Sequence, residues 1–186
     1  MKKLQIISLI LLFSIFSFGK SNQYESSYTS IDEHSCSVKK VYENGMGAMS
    51  KCENFGSIGV GFSSDDGRDE LTLFRDNKSY NLDISQTITP LFTQLGKKIE
   101  WRYPKGQKHN PKSIIVRLNI DIEGETQKDR KRVSYLIVSK ITKNRICIVE
   151  KVAPQKNQNQ IARDISNRAL SITCLSDNEI NKKIYN

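Results

Sequence analysis

Apolar and polar residues alternate along three stretches in the second half of the chain. From Ile114 to Ile122, every second residue is isoleucine, valine or leucine, and the residues between them are mostly polar. The segments 133–141 and 146–152 continue the strand-type pattern after a charged loop and a tight turn at 142–145. A period of two is typical of a strand with one buried face, and short turns favour antiparallel pairing. The pattern therefore predicts three consecutive antiparallel strands.

Beyond Pro154 the spacing of apolar residues changes from two to three and four. The recurring residues are Ile161, Ala162, Ile165, Ala169 and Ile172. Because this spacing places them on one side of a helix, it predicts an amphipathic helix whose apolar side covers the sheet. Asn157 or Asn159 is a candidate for its N-cap.

Strand signals in the first half of the chain are shorter. Over 56–62, apolar side chains alternate with glycine and serine, so one face of this strand is almost bare. A bare face admits a bulky aromatic side chain, and Trp101 is a candidate to fill it. Polar turns at 63–67 and 76–77, with a further strand-type segment at 98–103, extend the pattern into a meander.

These elements predict an α+β protein. We expect a mostly antiparallel sheet of about six or seven strands, with one C-terminal amphipathic helix packed on it. A single domain is predicted over 35–175. We expect a flexible lead-in over 20–34 and a polar tail over 176–186, since both are polar and poor in apolar anchors.

The first residues have the pattern of a secretory signal peptide. Two lysines precede an apolar run from Leu4 to Phe18, and small residues near Gly19 offer a cleavage site. The run is shorter than the roughly 20 residues of a spanning helix, so we expect removal of 1–19 and no stable membrane insertion afterwards. This predicts a periplasmic or secreted protein.

The chain contains four cysteines, an even number that in an exported protein predicts two disulfides. They are Cys36, Cys52, Cys147 and Cys174. Pairing of sequence neighbours, Cys36 with Cys52 and Cys147 with Cys174, is the favoured connectivity, and the two other connectivities remain open. A zinc site is the competing interpretation, but C-x-x-C spacing is absent and the chain has only two histidines. We therefore expect no metal and no cofactor.

The chain is basic, with 29 lysines and arginines against 20 aspartates and glutamates and a net charge of +9. Two loops concentrate this charge: one contains Lys105, Lys108 and Lys112, and the other contains Lys128, Arg130, Lys131 and Arg132. If both loops lie at one end of the sheet, they would form an anion-attracting surface. The alternative is two unrelated solvated loops. Nucleic acid is not an expected ligand, because no aromatic residues interleave with these charges to stack on bases.

The sequence contains no recognised catalytic motif. His34 lies in the predicted lead-in and His109 in a lysine-rich loop, so neither is expected in the rigid geometry that general-base catalysis needs. An acidic group of four residues suggests calcium, but its spacing differs from that of an EF-hand and a solvated turn is the simpler interpretation. Its members are Asp65, Asp66, Asp69 and Glu70. We therefore predict no catalytic residues.

Glu100 and Arg102 flank Trp101 on a predicted strand. Alternation places the carboxylate and the guanidinium on one face and the indole on the other. We interpret them as a structural ion pair over a core tryptophan, with a ligand-binding role as the alternative.

The order of several short segments resembles a group of small secreted bacterial proteins without an assigned activity. The segments are Cys36, Cys52, Ile99-Glu100-Trp101-Arg102, and Ile161-Ala162-Arg163 leading to Cys174. The resemblance covers most of the chain after the signal peptide, and it implies a fold rather than a function. The lysine-rich stretch 105–112 departs from it, since a shorter loop is expected there.

The sequence therefore predicts an exported, non-enzymatic binding protein of the bacterial cell envelope. The basic loops are its candidate contacts with an anionic envelope component or a partner protein. Two alternatives remain: an inhibitor of a host or rival enzyme such as lysozyme, and an envelope hydrolase that uses Glu100 or a carboxylate of the acidic group.

Overall fold

The structure is a computed structural model that describes residues 23–32, 34–41, 47–122 and 129–177. The predicted signal peptide, 1–19, lies outside these ranges. Ten strands are described: β1 (Tyr24–Ser30), β2 (Ser37–Val41), β3 (Gly47–Phe55), β4 (Ile58–Asp65), β5 (Arg68–Arg75), β6 (Lys78–Asn81), β7 (Thr93–Pro104), β8 (Ser113–Ile122), β9 (Lys131–Ile141) and β10 (Ile146–Val152). The helices are α1 (Ile84–Thr87) and α2 (Gln158–Asn167), with short 3-10 turns at Ala169–Ser171 and Leu175–Asp177.

The strands form two antiparallel groups that a single parallel contact joins. Half-sheet A contains β2, β3, β4, β5 and β6, and half-sheet B contains β1, β7, β8, β9 and β10. The parallel contact pairs Arg68 of β5 with Thr93 of β7. The predicted α+β class, mostly antiparallel sheet and C-terminal helix are confirmed, whereas the strand count of six or seven is too low.

The main core lies between the two half-sheets. Side chains from both form one buried cluster, including Val60, Leu71, Leu118 and Ile137. The alternating residues of β8 divide as the sequence predicts, because Ile114, Val116, Leu118 and Ile120 join this cluster. Burial of such apolar surface supplies the main driving force for folding.

A second apolar cluster lies on the other face of half-sheet B, beneath α2. It contains Ile115, Val138 and Val149 from the strands and Ala162 and Ala169 from the helical segment. Small alanines let the helix approach the strands closely. The predicted amphipathic helix is confirmed, and Asn157 is its N-cap residue, although its side chain makes no capping hydrogen bond.

The sequence interpretation of 20–34 as a flexible lead-in requires correction for 24–30. These residues form β1, which pairs with β7 over seven positions from Tyr24 opposite Pro104 to Ser30 opposite Lys98. Serine, threonine and tyrosine make β1 polar on both faces, so no apolar alternation marks it in the sequence. Thr29 is nevertheless buried, where it accepts a 2.8 Å hydrogen bond from the indole Nε1 of Trp101.

The aromatic side chain that covers the bare face of β4 is Phe74 of β5 and not Trp101. A Cβ at Gly61 would lie 2.8 Å from the Phe74 ring. Trp101 instead stacks on Phe55 in the main core, with ring centroids 4.7 Å apart. The described start of the predicted tail is anchored, because Asp177 forms an ion pair with Arg145 at 2.7 Å.

Both favoured disulfides are present. Cys36–Cys52 joins β2 to β3, and Cys147–Cys174 joins β10 to the segment that follows α2. The second disulfide therefore fixes the helical segment to half-sheet B.

Candidate functional site

The two basic loops lie at opposite ends of β8. The loop with Lys105, Lys108 and Lys112 precedes β8, and the loop that ends at Arg130 follows it. In the β8–β9 ladder, Ser113 pairs with Lys140 and Ile122 pairs with Lys131. Nine residue steps along a strand separate the two loops by about 30 Å. The condition for one shared anion-attracting surface is therefore not met.

Several basic side chains of these loops have polar partners. Lys112 Nζ donates to Asn110 Oδ1 at 2.8 Å. Arg132 donates to both carboxylate oxygens of Asp121, at 2.6 and 2.8 Å, and this hydrogen bonding lowers the pKa of Asp121. Lys105, Lys108, Arg130 and Lys131 are exposed, and Lys128 lies outside the described residues. Each loop therefore keeps exposed positive charge, whereas the charge of Arg132 is largely neutralised by Asp121.

Glu100 and Arg102 lie on the face of β7 that points toward α2, opposite the buried Trp101, as alternation predicts. The ion-pair partner of Glu100 is Arg163 of α2, however, and not Arg102. Arg163 Nε donates to Glu100 Oε1 at 2.7 Å, and Arg163 Nη2 donates to Oε2 at 3.3 Å. Ser26 of β1 donates to Glu100 Oε1 at 2.6 Å. Since residues from β1, β7 and α2 meet here, only the tertiary structure assembles this network.

Glu100 is held in its charged form. Burial alone would raise its pKa, but hydrogen bonds from Arg163 and Ser26, with the charges of Arg163 and Arg102, bring the pKa below its usual range. Hydrogen bonds to a charged carboxylate favour that form, so the side chain is ionised at neutral pH.

Arg102 is a buried cation without a direct carboxylate partner among the described residues. Its side chain is 5% exposed and lies between β1 and α2. Nη1 donates to Ser26 Oγ at 2.7 Å and Nη2 donates to Asn167 Oδ1 at 2.6 Å, while Nε has no acceptor in the described part of the chain. Burial lowers its pKa. Burial of an incompletely paired charge is costly, which marks this position as one that an anion would stabilise.

Two clefts flank the Glu100–Arg163 ion pair. Cleft 1 has a volume of about 360 Å³, and its charged and polar lining includes Lys97, Lys98, Glu100, Arg117, Asn159 and Arg163. Cleft 2 has a volume of about 310 Å³, and its lining includes Tyr24, Glu25, Ser26, Arg102, Gln160 and Asn167. Tyr28 and Arg163 line both clefts, so the two are neighbours on one surface.

Cleft 1 carries a net positive charge. Four cationic side chains line it, and its one carboxylate, Glu100, is paired with Arg163. Arg117 Nη1 donates to the uncharged Ser134 Oγ at 2.8 Å. Within the described ranges, the exposed Lys97 and Lys98 have no ion-pair partner. Clustered charges of one sign inside a cleft concentrate counter-ions, so this arrangement is suited to an anion.

Sequence reasoning did not identify Lys97, Lys98, Arg117 or Arg163 as a group. Alternation does place Arg117 on the same face of β8 as Ile115, and this pattern is a usable signal. A charged side chain on a strand face that a helix covers indicates either an ion pair or a ligand-binding site. The neighbouring positions of β7, β8 and α2, which create the cleft, have no such signal in the sequence.

The two histidines and the acidic group do not all meet at one place, although His34 and Asp69 line one cleft of about 350 Å³. Asp66 pairs with Arg68, and Glu70 accepts hydrogen bonds from the Ile84 and Ser85 backbone N–H groups at the start of α1. Asp69 is buried, and burial raises its pKa although it accepts a hydrogen bond from the Leu95 N–H. In the described segments, no group of three or more metal-binding side chains occurs. His34 and His109 are exposed and far apart in the fold, near β1 and in the β7–β8 loop respectively.

Replacing Glu100 with glutamine is expected to lower the free energy of unfolding at pH 7 by about 1–2 kcal/mol, because charge-assisted hydrogen bonds are lost. A carboxyl whose pKa is lowered by folding contributes stability above its unfolded pKa, and this contribution disappears as the pH falls through the folded value. The difference between wild type and variant should therefore shrink at acidic pH. Urea denaturation at about pH 7 and pH 3.5 measures it.

Glu53→Gln is the matched control for this substitution, because Glu53 is exposed on β3. The control variant should unfold like wild type at both pH values. A Glu100→Gln deficit of equal size at both pH values would contradict the assigned role of the ionised carboxylate.

Comparisons with known proteins complete the description of the site. Within the described ranges, no helix has the length and apolar character needed to span a membrane. No protein-family model matches the chain, and neither a curated protein nor a solved structure matches it significantly. The resemblance to small secreted bacterial proteins thus stays a prediction.

Proposed function

We propose that this chain is an exported binding protein that holds an anionic ligand in clefts 1 and 2, beside α2. The observation that carries the proposal is Arg102, a guanidinium with 5% exposure whose Nε has no acceptor among the described residues. A ligand anion in cleft 2, which Arg102 lines, would compensate this buried charge, although Nε itself is enclosed.

The surrounding charges support the same conclusion. Lys97, Lys98 and Arg117 add positive charge at the mouth of cleft 1, next to the partly exposed Arg163. Electrostatic attraction of this kind accelerates encounter with an anionic partner and weakens as salt screens it. The proposal moves the candidate contacts from the two basic loops to the surface between half-sheet B and α2.

An exported location agrees with the chemistry of the chain. Two disulfides are typical of proteins that fold outside the cytoplasm. The apolar run from Leu4 to Phe18 supplies the export signal in this proposal. A periplasmic or secreted protein meets anionic lipid headgroups, cell-wall polymers and acidic proteins, each of which presents the required charge.

The two alternative functions have weaker support. A hydrolase that uses Glu100 as its general acid needs a protonated carboxyl, whereas Arg163 holds this carboxylate ionised. An inhibitor of a basic enzyme such as lysozyme would meet charge repulsion, because this chain is itself basic. A lysozyme-activity assay with the purified protein tests that alternative.

Anion binding can be measured by calorimetric titration of the purified, oxidised protein with citrate and with inorganic pyrophosphate, at about 20 and 150 mM NaCl. The double variant Lys97→Gln/Lys98→Gln should weaken binding of the better probe by about tenfold or more, because two cations at cleft 1 are removed. The affinity should also fall as salt rises. Both lysines are exposed, so the substitutions should leave the thermal unfolding midpoint unchanged.

Lys105→Gln/Lys108→Gln provides the matched control, since it removes the same charge from exposed positions in the β7–β8 loop. This control should bind both probes within about twofold of wild type. If the loop variant loses binding and the cleft variant keeps it, the loops are the site. If the wild-type protein binds neither probe, small anions do not occupy the clefts, and only binding of a larger anionic ligand would then support the proposed function.

A further inference from the structure

Cleft 2 offers more than charge, and Arg102 and Arg163 lie there beside the carboxylate of Glu25. Its lining combines arginine with the amide side chains of Gln160 and Asn167 and the phenol groups of Tyr24 and Tyr28. Amides and phenols both donate and accept hydrogen bonds, whereas arginine only donates. A simple anion needs donors alone. A ligand rich in hydroxyl groups needs both, because each hydroxyl donates one hydrogen bond and accepts others.

Resting on the anion-binding function proposed above, we propose that the ligand is an acidic saccharide, whose carboxylate lies at Arg102 and whose sugar ring packs on Tyr28. The Tyr28 side chain is 53% exposed and stands where the two clefts meet. Its hydroxyl accepts a 3.0 Å hydrogen bond from Arg163 Nη2, which fixes the tip of the side chain. An aromatic ring that is held at its polar end presents an apolar face to the C–H groups of a sugar.

Arg102 determines where the carboxylate of the sugar is held. Two of its nitrogens already donate to Ser26 and Asn167, and these contacts orient the guanidinium. A guanidinium has five N–H donors, so Nη1 and Nη2 each keep a second hydrogen for a ligand in cleft 2, whereas Nε is itself enclosed. A charge-assisted hydrogen bond from one of these Nη atoms would make binding depend strongly on the ligand's negative charge.

The ligand extends beyond one sugar ring. Glu100 and Arg102 lie two residues apart on the same face of β7, a distance of about 7 Å along the strand. Cleft 1 continues on the far side of Arg163, where Lys97, Lys98 and Arg117 provide cations for a second acidic unit. An oligosaccharide with one carboxylate per ring matches this succession of basic groups.

The test titrates the full, oxidised chain with trigalacturonate as the acidic saccharide. Galactotriose is the neutral counterpart of trigalacturonate, and triglutamate is a peptide that carries carboxylates without sugar rings. Trigalacturonate should bind at least about tenfold more tightly than either control ligand, because only trigalacturonate satisfies both the cations and the ring-stacking surface.

Two substitutions at Tyr28 separate the ring from the hydroxyl. Tyr28→Ala should weaken trigalacturonate binding by about tenfold, whereas Tyr28→Phe keeps the ring and should retain most of the affinity. Tyr28 is 53% exposed, so neither substitution should prevent folding. Arg102→Gln should also weaken binding by about tenfold or more, and its thermal midpoint shows whether the buried site still folds.

Each remaining outcome overturns the saccharide proposal. Equal affinity for triglutamate and trigalacturonate would identify an acidic peptide as the better ligand class, and anion binding itself would stand. Equal affinity for galactotriose would show that charge is not recognised. Binding of pyrophosphate or citrate without trigalacturonate would refute only the saccharide, whereas failure of every anionic probe would refute the proposed function as well.

Discussion

Replacing Trp101 with alanine is expected to lower the free energy of unfolding by about 3–5 kcal/mol, the range for large aromatic truncations in a core. The indole is fully buried, stacks on Phe55 with ring centroids 4.7 Å apart, and donates a hydrogen bond to Thr29. The truncation removes the stacking and leaves a cavity between the half-sheets. Thr29 also loses its donor, so β1 should become less firmly attached. Urea denaturation, followed by far-UV circular dichroism, measures the loss.

Trp101→Phe and Thr29→Val divide the effect into its parts. Trp101→Phe keeps much of the apolar contact but loses the hydrogen bond, so it should cost clearly less than the alanine variant. Thr29→Val removes the acceptor while keeping the shape of the side chain, and it should leave the buried indole N–H unpaired at a cost of about 1–3 kcal/mol. An alanine variant as stable as wild type would contradict the central position of Trp101.

The double substitution Cys147→Ala/Cys174→Ala is expected to reduce the free energy of unfolding by about 3.5 kcal/mol in the loop-entropy description. The two cysteines are 27 residues apart in sequence, and their disulfide closes the loop that contains α2. Without it, the unfolded chain has more conformations available, and the helical segment is held only by non-covalent contacts such as apolar packing and the Arg163–Glu100 ion pair. Thermal unfolding should begin about 10 °C lower for a domain of this size.

Cys36→Ala/Cys52→Ala is the matched control. Its disulfide spans 16 residues and secures β2, an edge strand whose five residues are all exposed. Hydrogen exchange should therefore distinguish the pair: loss of Cys147–Cys174 should speed exchange in α2, and loss of Cys36–Cys52 should speed exchange in β2. Equal thermal midpoints for wild type and Cys147→Ala/Cys174→Ala would show that non-covalent contacts fix the helix without help from the disulfide.

Glu100→Gln and the cleft variants test the candidate site. Trp101→Ala and Cys147→Ala/Cys174→Ala test the scaffold that positions this site. Trp101 and Arg102 are adjacent on β7 and point to opposite faces. The main core therefore holds β7 on one side, while the clefts occupy the other. Removal of the tryptophan should disturb the cleft through this shared strand.

Local patterns determined β8, β9, β10 and α2, and they favoured the cysteine pairing that the structure contains. Alternation along 114–122 has a single solution, because a shift by one residue would turn Ile114, Val116, Leu118 and Ile120 away from the main core. The helical spacing from Ile161 to Ala169 and the proximity of paired cysteines are likewise properties of short segments. Placement of Glu100 and Arg102 opposite Trp101 follows from the same periodicity.

Strand β1 shows why the rest could not be predicted. Its serines and tyrosines do not alternate in polarity, and its pairing with β7 joins residues 68 to 80 positions apart, from Ser30 opposite Lys98 to Tyr24 opposite Pro104. The low strand count has partly the same cause, since β1 adds a strand that no apolar alternation marks. Backbone pairing with a distant partner leaves no local trace when both faces of a strand are polar.

The sequence by itself determined the class of the fold and the helix, because each depends on the periodicity of short segments, and it favoured the observed disulfide pairing. Only the tertiary structure decided that the basic loops lie at opposite ends of β8 and that Arg163 pairs with Glu100. It also decided that Arg102 is buried between β1 and α2, with no acceptor for its Nε among the described residues. These features depend on contacts between segments that are distant in sequence. A charge becomes buried only when such segments pack around it.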